Sequence, residues 1–218
     1  MNSRCRSRST LRLRAARYAQ CERVLHQVAN EVMQPMSETW AAADGTVITI
    51  RPISAADLAL EQEFVDRLSA STGYQRLMSA RRPSFEELRR FTDIDPEREL
   101  ALIATTLVKG RERQIGVARY VKEESSPSDA EFAIVVSDDW QGRGAGTRLL
   151  ASLLLAAKRD GVRRLVGTTM SENRGMLALG RKLGFRLAPD PGSATITNLT
   201  VELAAWPPAG ASGIDDGR

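Results

Sequence analysis

One histidine and two cysteines are all that 218 residues provide, and His26, Cys5 and Cys21 fall within the first 26 positions. A fold that begins after them has no imidazole and no thiol. That excludes a Ser-His-Asp triad, a cysteine nucleophile and a zinc site. Carboxylates, backbone amides, hydroxyls and cationic side chains are left for any chemistry, and no metal is expected. Two cysteines give no disulfide scaffold and fit a reducing compartment, so the cytoplasm is the expected location. Long apolar runs are missing too. None approaches the roughly 20 residues of a bilayer span, and no membrane partner is expected. The densest run, Leu149 to Ala157, has the spacing of an amphipathic helix.

The formal charge of +4 is a poor guide to partners. Residues 1–45 hold 7 of the 31 Lys and Arg and 4 of the 27 Asp and Glu, which leaves 24 against 23 from residue 46 onward. Basicity therefore belongs to the N-terminal stretch, and a nucleic-acid partner is not expected of the rest. Its first 17 residues, MNSRCRSRSTLRLRAAR, carry six arginines and no acid. They read as a disordered extension or an early start codon, with a transit peptide or nucleic-acid contact as weaker readings. The last residues, WPPAGASGIDDGR, read as a second tail. The expected division is a tail over 1–45, one folded domain over 46–204 and a tail over 205–218.

Between the tails, alternation and punctuation predict six strands, at 46–52, 99–108, 113–121, 130–136, 163–169 and 195–203. Lys109-Gly110 reads as a hairpin turn. Ser54 caps a helix over most of 55–69, and Ser84 with Glu87 forms a capping box. Further helices run from about Gly144 to Asp160 and from Asn173 to Leu183, closed by Gly161 and Gly184. The short early connections imply antiparallel hairpins, and the strand–helix–strand over 130–169 implies one parallel crossover. This is an α/β (α+β) fold: a mixed, mostly antiparallel sheet of about six to seven strands with helices on both faces.

Three glycines, Gly142, Gly144 and Gly146, stand between a strand and a helix. Such a corner turns sharply and presents free amides at the positive end of a helix dipole, which makes an anion site suited to a phosphate or pyrophosphate. Arg143 and Arg148 add charge. A Walker loop is excluded because no lysine follows Gly146, and a dinucleotide fingerprint because the spacing is G-x-G-x-G. The run Gln141-Gly142-Arg143-Gly144-Ala145-Gly146 fits [Q/R]-x-x-G-x-[G/A] instead.

That hexapeptide, with the strand before it, the helix after it and the later ENRGMLALGRKLGF, resembles the coenzyme A loop of the GNAT acetyltransferase superfamily over about residues 46–203. AEFAIVVSDDWQGRGAG, RRLVGTTMSENRGMLALGRKLGF and LSASTGYQRLM more narrowly resemble the GNAT domain of Pat-type protein lysine acetyltransferases. Leu77-Met78 departs from that family's aromatics, and the chain has no room for its larger companion domains.

The resemblance implies acetyl-CoA as co-substrate, with its pyrophosphate on Gln141, Gly142, Arg143, Gly144, Ala145, Gly146 and Thr147. Backbone groups of Val136 would pair with the pantetheine arm as an added strand. Asn173 is a favoured helix cap by residue type and a cofactor contact by resemblance. Tyr74 and Arg76 fall where the superfamily lines its acceptor site. Gly180 stands where many relatives carry a tyrosine acid.

A lysine acceptor is only about 0.04% neutral at pH 7, so something must take its proton, and with no core histidine a carboxylate is the natural base. The resemblance carries that role to Glu131, with Glu124 and Glu172 as weaker substitutes. Glu131 lies five residues from Val136, about 16 Å along a strand, which calls for a bulge, a cofactor arm running back along the strand, or a water relay. The implied function is acetyl transfer to an amine, foremost a protein lysine of the kind found on acyl-CoA synthetases. A small amine, a protein N-terminus or non-catalytic acyl-CoA sensing are the alternatives.

Overall fold

The computed structural model describes residues 37–42, 44–77 and 81–207. Strands β1 (Glu38–Ala41), β2 (Val47–Pro52), β3 (Glu99–Val108), β4 (Arg111–Lys122), β5 (Asp129–Val136), β6 (Arg164–Met170), β7 (Arg186–Asp190) and β8 (Ser193–Glu202) form one sheet. Its order is β1-β2-β3-β4-β5-β6-β8-β7. Only β5 and β6 run parallel; the other neighbours are antiparallel. Five helices complete the fold: α1 (Leu58–Arg67), α2 (Ala70–Leu77), α3 (Phe85–Thr92), α4 (Ala145–Arg159) and α5 (Arg174–Lys182).

Alternation along the strands sends side chains to two faces. On one face, Ala101, Ile103, Val117 and Val135 meet Ile53 and Phe64 of α1. On the other lies α4, whose Leu149, Leu150, Leu153 and Leu154 are fully buried. Each such leucine contributes about 1.5–3 kcal/mol, so this stripe is what fastens α4 to the sheet. Tyr120 of β4 is buried and donates its hydroxyl to Asp160 at the end of α4. Burial and that carboxylate hold the phenol far above its ordinary range. Among the described residues no helix is long and apolar enough to cross a membrane.

The sheet has eight strands, not six or seven. β1 falls within the expected tail, since ETWA is too short to show a pattern, yet it pairs with β2 over its whole length. Its Glu38 accepts from Arg148 at 2.7 Å and from Ser152 at 3.0 Å. β7 carries Pro189, which demotes a run to loop by pattern but is tolerated in a strand at the sheet edge. The fold also runs past residue 204. Trp206 is buried and donates its indole N–H to the Leu183 carbonyl at 2.9 Å.

The helix placed over 55–69 is two elements. A 3₁₀ turn over Ala55–Asp57 leads into α1, which stops at Arg67, and α2 is separate. The Ser84–Glu87 capping box is present. The β3–β4 turn has positive φ at both Lys109 and Gly110, as a two-residue hairpin turn requires.

Candidate active site

β5 and β6 are paired only at one end, where Asp129, Ala130 and Glu131 face Arg164, Leu165 and Val166. Beyond that point they part, and β6 continues against β8. The wedge is Phe132. A β-carbon on Gly167 of β6 would lie 2.6 Å from the Phe132 ring, so only glycine lets the ring sit there. Phe185 backs it at 5.0 Å between centroids. The edge of β5 from Phe132 to Val136 that faces β6 is left without a strand partner.

A cleft of about 570 Å³ opens in the gap, and it brings together most of the residues singled out by sequence. Glu131, Val136, Gln141, Gly142, Gly144, Gly146, Thr147 and Asn173 all line it. The loop reaches the cleft by left-handed turns at Gly142 (φ 73°) and Gly144 (φ 88°), conformations that side chains disfavour. Gly144 is the N-cap of α4 and offers its amides no side-chain oxygen. The first helical bond runs from Arg148 N–H to the Gly144 carbonyl. Ala145, Gly146 and Thr147 therefore have no intrahelical acceptor for their N–H groups, at the positive end of a 15-residue helix. That is a built anion cradle, and it fits a pyrophosphate.

The loop arginines are paired with carboxylates from other parts of the chain. Arg143 stands outside the cleft lining, paired with Asp44 at 3.2 Å and 5.2 Å over the Trp140 ring. Arg148 is paired with Glu38 at 2.7 Å and lies over Trp40. Ala145 is buried beneath the cradle. The Val136 carbonyl accepts from the Gln141 side-chain amide at 3.0 Å. Asn173 caps α5, accepting from Met176 N–H at 3.0 Å, and lines the cleft as well.

Glu131 and Val136 lie on opposite faces of β5, since they are five residues apart. Glu131 shares its face with Val135, which belongs to the α1 side of the core. The β4–β5 register is unbroken from Gly116↔Val136 to Lys122↔Ala130, so no bulge shortens the path between them. The cleft itself spans it, because both residues line the same opening.

On the α1 face lies a second cavity, a chamber of about 330 Å³ between α1, α2 and α3. Phe64, Tyr74, Phe91 and the buried carboxylate of Glu61 line it, and Val135 borders both cavities. Gln114 donates to Glu61 at 2.5 Å. Tyr74 thus faces the chamber from α2. The Arg76 side chain lies outside the described residues. Sequence reading missed Glu61, which lies outside every quoted stretch, and the cleft-lining Thr72, Gln75, Thr169 and Lys182, which lie within the quoted stretches but were not singled out. Gly180 is buried against β8, where a β-carbon would lie 2.7 Å from Leu199. A side chain there requires Leu199 to move.

Residues 65–185, which include every candidate from Tyr74 to Asn173, match the family model described as the acetyltransferase (GNAT) family. The chain belongs to the GNAT acetyltransferase family. Acetyltransferase PA5475 of Pseudomonas aeruginosa is 32% identical over 155 residues, 70% of this chain and 82% of that protein. Acetyltransferase Pat of Mycolicibacterium smegmatis is 30% identical over 135 residues, 62% of this chain but 40% of that longer protein. The GNAT domain of S. lividans PAT shares the fold, with a TM-score of 0.68 and 24% identity over 76% of this chain and 96% of that domain. The protein is thus an acetyltransferase of GNAT fold, and the parted strands and glycine corner are the parts of that fold described above.

Proposed function

We propose that the protein transfers an acetyl group from acetyl-CoA to an amine, foremost a protein lysine, with Glu131 as general base. The observation that carries this is a single cleft lined both by the glycine corner with its open amides and by a carboxylate on the adjoining strand. Acetyl-CoA supplies the activated acyl group as a thioester. The amides of Gly146 and Thr147 hold its pyrophosphate, and the unpartnered edge of β5 receives the pantetheine arm. Gln141 holds the Val136 carbonyl and must release it if that carbonyl is to pair with the arm.

Glu131 stands on the chamber's side of the sheet, so the acceptor approaches from Tyr74 and Val135. Its carboxylate takes one proton from the ammonium, directly or through water. The freed nitrogen attacks the thioester carbonyl and a C–N bond forms; as the C–S bond breaks, the nitrogen gives its second proton through water to the leaving thiolate, in the absence of a tyrosine at Gly180. The chamber also has room for a whole small amine, which makes that the second reading.

Turnover with acetyl-CoA across a panel of amines and acyl-CoA synthetases tests the reading. Glu131→Gln should lower kcat by about 10²–10⁴-fold and leave acetyl-CoA affinity nearly intact. Wild-type turnover in that variant from about pH 6 to 9 would remove Glu131 from the mechanism.

A further inference from the structure

Helix α2 is the wall between the two cavities. Thr72 and Gln75 line the cleft, while Ala70, Gly73 and Tyr74 line the chamber. Its N-cap is Ser69, whose Oγ accepts from Thr72 N–H at 3.2 Å, and that cap is held in turn from a distant part of the chain. Asp138, two residues past the end of β5, accepts from Ser69 N–H at 3.1 Å, from Ser69 Oγ at 2.8 Å and from Thr72 Oγ1 at 2.7 Å. A carboxylate on the first amides of a helix satisfies orphan donors and complements the dipole. Burial pushes Asp138 up, but these hydrogen bonds outweigh it and hold the carboxyl below its ordinary range, so it is charged at neutral pH.

The same short loop continues to Gln141. Its amide donates to the Val136 carbonyl at 3.0 Å and reaches Thr72 Oγ1 at 3.5 Å. Three residues after Gln141 comes Gly144, the N-cap of α4. The loop that forms the anion cradle therefore also grips the start of α2, through Ser69 and Thr72. The sequence separation of 66 residues between Asp138 and Thr72 makes this a tertiary link.

We propose that Asp138 is a positioning residue, which ties α2 to the cofactor loop so that coenzyme A seated on the loop orders α2 and with it the acceptor chamber. This rests on the reading of the cleft as the acetyl-CoA site. The physical content is a coupling free energy between cleft and chamber, and it is reciprocal. Asp138 touches neither cavity's contents and acts through Ser69 and Thr72.

Hydrogen exchange of the full chain, with and without coenzyme A, tests it without an identified acceptor. Saturating coenzyme A should slow exchange of the α2 amides at least about fivefold in the wild type, the lower end of ordinary allosteric coupling. In Asp138→Ala, calorimetry should still show coenzyme A binding, while exchange of α2 no longer responds to it. Asp138→Asn keeps a side-chain acceptor and should restore much of the response. Ser69→Ala, which leaves the loop untouched, should weaken it in the same direction even if Asp138→Ala does not fold. The proposal falls if coenzyme A binds the wild type yet leaves α2 exchange unchanged, or if both variants keep the full response. Absence of coenzyme A binding to the wild type would overturn this proposal and the reading of the cleft together.

Discussion

The cleft and the chamber share α2 as a wall but are made of different material. The cleft owes its shape to backbone: parted strands, two left-handed glycines and the bare amides of α4. The chamber is made of side chains, with Glu61 and Phe64 from α1, Tyr74 from α2 and Phe91 from α3. A ligand held by backbone meets nearly the same groups in any sequence that can form the turn. A ligand held by packed side chains meets whatever those positions carry. The cleft is accordingly where the family resemblance is carried, and on the function proposed above the chamber is where this chain's own acceptor preference would be written.

Disturbing the two cavities separately should give separable effects. The largest is expected in the chamber. Phe64 is fully buried, and Phe64→Ala should cost about 3–5 kcal/mol in denaturant unfolding, while acetyl-CoA affinity of the folded fraction is kept. In the cleft, Gly167→Val places a side chain against the Phe132 ring. It should cost about 1–3 kcal/mol and weaken acetyl-CoA binding, because the wedge that parts β5 from β6 is displaced. Equal loss of acetyl-CoA affinity in both variants would erase the distinction.

A smaller effect concerns α3, the outer wall of the chamber. Ser84→Ala removes an N-cap and should cost about 1 kcal/mol. Its partner Glu87 is held down to about 2 by the Arg81 guanidinium and by the Ser84 amide, from an ordinary 4.5. A depressed carboxyl stabilises the fold above its unfolded value. The Glu87 contribution should therefore be complete above about pH 4.5 and fade as pH falls toward 2, and Glu87→Gln should match the wild type only at the acid end. The smallest effect is at the N-terminus. A chain starting at Met36 keeps β1 and should keep its melting temperature. One starting at Ala42 loses β1 and the Glu38 bonds to α4, and should melt lower.

The same contrast explains what the sequence made legible. Glycines at 142 and 144, a strand before them and an apolar stripe after them are local signals, so the anion corner and α4 could be placed residue by residue. Glu131 and Asn173 follow from resemblance, and the structure puts both on the cleft. The separate helix α2 was not legible. Its stretch, SASTGYQRL, is rich in hydroxyls, and its N-cap, Ser69, is held in place by Asp138 from the far side of the sequence. The chamber was invisible for the same reason, since no spacing rule joins Glu61, Tyr74 and Phe91. β1 and β7 escaped because four residues are too few for a pattern and because Pro189 argues against a strand that the sheet edge tolerates. Arg143 is a phosphate contact by its place in the motif; in the structure its guanidinium meets Asp44 and Trp140, partners that no local pattern announces.

The central claim is that the corner at Gly144 binds acetyl-CoA through its pyrophosphate. Calorimetry of acetyl-CoA against wild type and Gly144→Asp tests it most directly. An aspartate here sets a negative charge where the phosphates would sit and also strains the left-handed turn at φ 88°, so the variant's unfolding is measured beside its binding to show that the fold is kept. The account predicts measurable binding to the wild type and a loss of at least about a hundredfold in the variant, roughly 2.8 kcal/mol. The same dissociation constant in both proteins would contradict it.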